Sequence, residues 1–264
     1  MEKALKISRV ADLGSWNNEF SRVYFGDEFC DRLIPSGEDL GKVLSFAAEK
    51  SLGFSLLTTF CTEENLRSYR KIFDLLSHIR PDAEIVINDW GLFKVIKEYS
   101  FAPVLGRLLN KQKRGPRIMN VINNLSGPMR KRFKESGVNT YFSAFLSGRG
   151  IRRVELDNLL QGLSLDEFRG RGIGCSLHVP FGYISVSRSC PHSRNRGSPV
   201  NKPAGGNCRR ECLENRYWLR NPQMPVPLLL RGNAVFFENK IVNESALREA
   251  GIIDRIVYEA NAQF

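Results

Sequence analysis

Four cysteines have the residue type and the spacing to do chemistry. Cys190, Cys208 and Cys212 fall within one polar, Gly- and Pro-rich stretch, SRSCPHSRNRGSPVNKPAGGNCRRECLENR, and Cys30 ends the upstream run RVYFGDEFC. Thiols set among Arg, Asn, Gly and Pro are poorly placed to fill a core, and as thiolates they are soft metal ligands. Cys190 precedes Pro191, a step that recurs at iron–sulfur ligands, where the proline restricts the turn beside the metal. Cys208 and Cys212 stand four apart, which puts two sulfurs on one helical face or around one loop. The set reads as the ligands of an iron–sulfur cluster, provided that the fold carries Cys30 to the late trio. Zinc, which more often uses Cys-x-x-Cys pairs, is the alternative. Cys61 and Cys175 lie in apolar, strand-like contexts and read as core thiols. His178 and His192 are the histidines that could join as ligands, although a loop position makes His192 an ordinary solvated side chain.

Composition bounds what surrounds these residues. The chain has 264 residues, 42% hydrophobic and 25% charged, which is enough apolar material for a full core and unlike a disordered segment. No apolar run approaches the roughly 20 residues of a membrane span. The start, MEKALKISRVADLGSW, lacks the layout of a secretory signal. A cytoplasmic location is expected, where clustered thiols serve metal or redox chemistry rather than disulfides. The net charge of +11 suits an anionic partner such as nucleic acid, phosphate or a polycarboxylate, as well as a plain basic protein. One basic group comprises Arg107, Lys111, Lys113, Arg114 and Arg117. Another, Arg194, Arg196, Lys202, Arg209 and Arg210, lies inside the cysteine segment, where it would favour thiolates over thiols.

Positioning these groups requires a regular scaffold, and the chain alternates apolar β-branched runs with amphipathic stretches. Strands are predicted at 22–26, 53–60, 84–89, 102–110, 152–157 and 253–260, with further strand material over 172–190. Helices are predicted at 39–51, 62–80, 90–100, 126–137 and 244–251, and a hairpin over 226–239 turning at Gly232 and Asn233. Strand–helix units at this spacing predict one domain over 1–264, a TIM-type (β/α) barrel, with a doubly wound sheet as the alternative. The short start leaves little room for a first barrel helix, and the end at VYEANAQF leaves none for a last one. The expectation is therefore of a barrel that is incomplete and closed by a partner. Residues 188–225 are too long for an ordinary connection and are expected to be a Cys-rich cluster-binding segment organised by what it binds.

At the C-terminal ends of barrel strands, where function collects, Glu155 in VELD is the candidate general base, with a salt bridge to Arg152 or Arg153 as the plain structural alternative. Asn88 and Asp89 end a strand and are expected at the same mouth, as further catalytic candidates. Arg107, Asn110 and Arg117 are candidates to grip a carboxylate or phosphate of a substrate. Peptidase chemistry has little support in the residues: there is no Gly-x-Ser-x-Gly and no His-Glu-x-x-His, and the one close thiol–imidazole pair, Cys175 and His178, sits in strand context.

In order along the chain, VYFGDEFC, VIND-WG, RRVELD, YISVSRSCP and CRREC resemble the collagenase-like peptidase family U-32, and within it the small cluster-binding members. The resemblance spans most of the chain and is specific at the cysteines. It implies a TIM-like barrel and a four-iron, four-sulfur (4Fe-4S) cluster on Cys30, Cys190, Cys208 and Cys212. It also implies a part in oxygen-independent hydroxylation, of the ubiquinone ring or of RNA bases, beside a second U-32-like cluster protein as heterodimer partner. The expected substrate is a small aromatic or anionic molecule. An RNA-base hydroxylation factor and a non-catalytic partner subunit are the alternatives, and a peptidase the least favoured. Where the family commonly shows Asn-Cys-Tyr/Trp-Asn after its central strand, this chain reads GRLLNKQKRGPR. It keeps Asn110 but adds lysines and arginines, which implies a more anionic substrate. Four cysteine ligands leave no iron open, so the resemblance implies electron transfer or clamping of the loop rather than Lewis-acid chemistry.

Overall fold

The computed structural model describes residues 1–188, 190–193 and 208–260. Seven strands come first: β1 (Glu2–Ile7), β2 (Arg22–Gly26), β3 (Gly53–Leu57), β4 (Glu84–Ile87), β5 (Ala102–Leu105), β6 (Arg153–Asp157) and β7 (Gly174–Val179). Four more, β8 (Phe181–Val186), β9 (Tyr217–Leu219), β10 (Leu228–Arg231) and β11 (Ala234–Glu238), precede the last strand, β12 (Ile253–Glu259). The helices are α1 (Gly37–Glu49), α2 (Glu63–Ile79), α3 (Trp90–Ile96), α4 (Gly127–Lys134), α5 (Thr140–Ser147) and α6 (Glu244–Ala250). Strands β1 to β7 and β12 are all parallel and close into an eight-stranded barrel. Closure comes from β12, which pairs with β7 on one side and with β1 on the other, in register from Glu2 opposite Arg255 to Lys6 opposite Glu259. The expectation of an incomplete barrel is thus corrected: the last strand of this same chain fills the gap. The expected shortage of a first helix holds, for a 3-10 turn at Val10–Ser15 stands in its place.

Local sequence explains the main elements. Helix α2 starts where Thr62 accepts a hydrogen bond from the Asn65 amide, has Glu63 and Glu64 in its first turn, and buries Tyr69, Ile72, Phe73 and Leu76 along one face. Helix α1 buries Leu40, Val43, Leu44 and Ala47. Helix α6 stops at Gly251, whose left-handed φ of 65° carries no steric cost without a Cβ. Outward-facing strand residues such as Ile7, Phe25, Leu56, Ile85, Leu156 and Leu177 pack with these helix faces into one core, and burying a side chain of this size contributes about 1.5–3 kcal/mol.

The barrel interior is different. Ala4, Tyr24, Leu57, Val86, Val104 and Val257 form only a thin apolar layer. The remaining inward positions are largely charged or polar, where a TIM barrel usually stacks branched aliphatics. At the N-terminal floor, Arg255 donates to both oxygens of Glu84 (2.7 and 3.0 Å), to Glu2 (2.5 Å) and to the Tyr24 hydroxyl (2.6 Å), while Arg22 donates to Glu2 (2.7 Å).

Strands β8, β11, β10 and β9 form, in that order, a separate antiparallel sheet inserted between the seventh and eighth barrel strands. The sequence pattern foretold its hairpin at Gly232 and Asn233 but not the sheet. Strand β9, β1 and α5 were likewise not foreseen, and the strand material of 172–190 divides at Pro180, which has no amide to continue a ladder. The sheet roofs the C-terminal mouth of the barrel: Phe29, from the loop after β2, packs its ring 5.2 Å from those of both Tyr183 and Phe236, with Phe181 and Leu229 beside them. Among the described residues no helix is long and apolar enough to cross a membrane.

The floor makes stability depend on pH. Burial alone would raise the Glu84 carboxyl, but Arg255 and Arg22 outweigh it and hold it at about 2 against an ordinary 4.5. Its folded value lies below its unfolded one, so the stabilisation is complete above about pH 4.5 and is lost as pH falls toward 2. Urea unfolding between pH 6 and pH 3 should show that loss. Arg255→Met removes the main partner of Glu84 but leaves it Arg22 and Ser55, so it should cost less than the about 3–5 kcal/mol of a broken buried pair and should flatten the acid limb.

Candidate functional site

Strand β2 ends at Gly26, and the chain then turns over the barrel mouth. Asp27 fixes the turn by accepting from the amides of Phe29 (2.7 Å) and Cys30 (2.8 Å). Cys30 so placed shares a narrow cleft of about 40 Å³ with Cys212, which arrives on a 3-10 turn of the insertion, Glu211–Leu213. That turn packs on the short turn Pro191–Ser193, directly after Cys190. Cys208 accepts a hydrogen bond from the Arg210 amide (3.4 Å), an approach made by the left-handed backbone of Arg210 at φ 60°. Burial, together with the neighbouring Cys190, Asp27 and Cys208, pushes the Cys212 thiol up to about 11. Burial and Asp27, with Cys212 adding, push Cys30 higher still. Gly232 at the tip of the β10–β11 hairpin lets the chain pass close: a Cβ there would lie 3.5 Å from Cys212 Sγ.

Lys6, Arg9, Asp27, Arg216, Arg231 and Glu259 also line the cleft. Arg231 ion-pairs with Glu259, yet its Nη2 is buried with no hydrogen-bond partner. Among the described residues, no group of three or more His, Cys, Asp or Glu side chains converges as a single metal ion requires. Arg194, Arg196 and Lys202, expected to charge this segment, lie outside the described residues, as does much of 188–225.

Behind the cleft, the mouth is filled by ions of this chain. Lys6 Nζ reaches Glu28 at 2.9 Å and Glu259 at 3.8 Å. Arg107 donates to both oxygens of Glu28, to Asp157 (2.8 Å) and to the Phe181 carbonyl (3.1 Å). Arg114 pairs with the other oxygen of Asp157 and stacks on Tyr183, 4.2 Å from the ring centroid. Burial by itself would raise Glu28 and Asp157, but Arg107 with Lys6, and Arg114 with Arg107, hold both carboxyls below their usual values.

Deeper in the barrel, Glu155 accepts from the Tyr24 hydroxyl (3.0 Å) and lies 2.6 Å from His178 Nε2. The Arg152 or Arg153 bridge expected as its plain alternative does not form, since Arg153 instead turns to Asp254 (2.6 and 2.9 Å) and to Ser176 (3.2 Å).

The sequence-predicted residues therefore divide. Cys30 and Cys212 meet in one cleft, with Cys190 and Cys208 in electrostatic reach of Cys212. Asn88 is a brace: its amide donates to the Thr58 carbonyl (2.7 Å) and its oxygen accepts from the Leu108 amide (2.9 Å). Asp89 caps α3 through the amides of Gly91 (2.7 Å) and Leu92 (3.3 Å) and also accepts from Cys61 (3.3 Å). Arg107 grips two carboxylates of its own chain. Asn110 is buried, donates to the Glu155 carbonyl (3.1 Å) and keeps an orphaned Oδ1. Arg117 is exposed and bonds Gln223, remote from the mouth network. Cys175 faces the outer core with Leu177, whereas His178 faces the barrel interior, so the two do not form a thiol–imidazole pair. Cys61 is half-buried, and His192 stacks on Tyr217 at 5.0 Å.

Lys6, Tyr24, Glu28, Asp157 and Arg255 are interior groups that sequence reasoning missed, and His178, considered as a ligand, was not placed beside Glu155. The signal was present: each of the four on strands is a polar residue at an inward, every-second position.

Glu155→Leu should leave the Tyr24 hydroxyl and the His178 ring without their acceptor, at about 1–3 kcal/mol for each group stranded. Glu155→Gln keeps an acceptor and should cost less, and thermal unfolding of the two variants reads the difference.

No protein-family model matches this chain, and no curated protein sequence matches it. Among solved structures, the U32 peptidase Mk0906 superimposes with a TM-score of 0.51 at 13% identity, over 100% of this chain and 94% of that one. A plant class V chitinase mutant from Cycas revoluta, in complex with (GlcNAc)3, aligns over 98% of this chain and 94% of its own at 9% identity and a TM-score of 0.41, too loose a likeness to carry an argument. What is established is the fold: from end to end, this chain is similar in architecture to a U32 peptidase.

Proposed function

We propose that this chain is a U-32-type iron–sulfur protein, in which Cys30, Cys190, Cys208 and Cys212 hold a four-iron, four-sulfur cluster. On this reading it acts in the cytoplasm as one component of an oxygen-independent hydroxylation system beside a second cluster protein, in the manner of the ubiquinone-biosynthesis protein UbiV. The observation that carries the reading is the meeting of Cys30 and Cys212 in one cation-lined cleft, from positions far apart in the chain. Three features suit the group. Burial, with neighbouring thiols adding to it, raises Cys30 and Cys212, and a bound metal is one way to offset the charge of thiolates held there. Arg231 carries a buried N–H with no acceptor at the cleft, and such a donor suits an anionic sulfur centre. A four-iron cluster takes each thiolate on its own iron, so the four cysteines match its ligand count.

When bound, the cluster would supply electron transfer, or would tie the insertion to the barrel. The chain's own residues do the rest. Asp27 orients Cys30, the Arg210 amide steadies Cys208, and the aromatic roof of Phe29, Tyr183 and Phe236 keeps water from the ion pairs beneath.

Protein purified without oxygen should be brown, with about four irons and four sulfides per chain and a broad visible band bleached by dithionite. Cys212→Ser should abolish the band and the sulfide, and Cys61→Ser should leave both. A colourless, iron-free protein with native circular dichroism sinks the reading.

A second reading, RNA docking, is favoured by one surface. Lys111, Lys113, Arg117, Arg130, Lys131 and Arg132 are all exposed, and α4 buries no residue of its own. Binding to a structured RNA that weakens steeply between about 50 and 200 mM salt, and is lost in a triple Arg130, Lys131 and Arg132 to Ser variant, would support it; salt-independent or absent binding would not.

A further inference from the structure

A buried chain of alternating charge joins the thiol cleft to the barrel mouth. It runs Arg231, Glu259, Lys6, Glu28, Arg107, Asp157 and Arg114, each paired with the next. One end enters the cleft of Cys30 and Cys212 and the other closes the barrel mouth. Glu28, Arg107 and Asp157 have side-chain exposures of 1% or less, so water does not screen them, and charges there act at longer range than on a surface. Arg231 lines the cleft, keeps a buried Nη2 that has no hydrogen-bond partner among the described residues, and stacks on Phe236, 4.9 Å from the ring centroid. Glu259, its counter-ion, is shared with Lys6.

We propose that Arg231 and Glu259 are the positioning pair that sets the charge environment of the thiolate site: Arg231 stabilises added negative charge there, and Glu259 opposes it. This inference rests on the cluster reading above. Reduction by one electron from an added reductant puts one more negative charge on the centre, with no bond made or broken. A cation beside it makes that step easier and an anion makes it harder. The rest of the chain of ions holds the pair in place, because moving either member would strand a buried neighbour.

The test is the reduction potential of the anaerobically purified full-length protein, titrated with dithionite and followed by electron paramagnetic resonance. Iron and sulfide are counted for each variant. Arg231→Gln should disfavour reduction about tenfold, a shift of about 59 mV to lower potential for one electron. Glu259→Gln should shift it in the opposite direction, and Arg231→Lys should stay near the unmodified protein. A structural disturbance alone would not give opposite signs from the two partners of one ion pair. Unchanged potentials in loaded variants, or shifts of the same sign, overturn the inference while leaving the cluster reading intact. If Arg231→Gln fails to hold the cluster, Glu259→Gln alone decides: a raised potential supports the inference and an unmoved one overturns it. An unmodified protein without iron and sulfide overturns the cluster reading, and this inference with it.

Discussion

Buried charge must be paired, and that constraint organises the inside of this barrel. Transfer of a lone ion from water to a low-dielectric interior costs several kcal/mol even after relaxation, so every charged inward position commits a second residue elsewhere in the chain. Lys6 on β1 requires Glu28 from the loop after β2, and Glu28 in turn requires Arg107 from the loop after β5. Arg107 then ties to Asp157 on β6, and Arg114 completes that carboxylate. At the other end, Glu259 on β12 draws Arg231 out of the inserted sheet. The result is a network that crosses from the barrel to its roof and specifies which loops lie over the mouth. Such pairs add less net stability than an apolar filling of equal volume would, and their effect is to admit one arrangement of the loops rather than several.

The thiol cleft sits at the edge of that network and inherits its order. Cys30 is held because Asp27 accepts from its amide and from that of Phe29. Cys212 is held because its turn lies under the hairpin whose Gly232 leaves room for it. Neither cysteine is placed by the other. The same order occupies the mouth among the described residues: Arg107, a natural anchor for a carboxylate or phosphate, is already paired with Glu28 and Asp157. A ligand at the mouth would have to displace a buried ion pair rather than meet a waiting guanidinium.

Most barrel strands and the longer helices were legible in the sequence because their signals are local. Thr62 with Glu63 and Glu64 announces a helix start, the spacing of Tyr69, Ile72, Phe73 and Leu76 announces its buried face, and Gly232 with Asn233 announces a tight hairpin. The elements that escaped are those whose signal is weak or short. Strand β9 is three residues, all exposed, and β1 begins with alternating charges that resemble a surface. For the site, the four cysteines stood out by composition alone. Asn88 and Asp89 were placed at the right strand end, but their atoms serve the backbone, and no pattern of types tells a brace from a catalytic group.

Residue types and their periodicity by themselves determined a parallel α/β barrel and its outer core, because both follow from short-range spacing and from which side chains avoid water. Only the tertiary structure decided that the last strand closes the barrel against the first, that a second sheet roofs the mouth, and which carboxylate answers each buried cation. Those pairings join residues up to 253 positions apart. Charge attraction has no sequence periodicity, so such partners are chosen by where the folded backbone brings them, and nothing local in the chain records the choice.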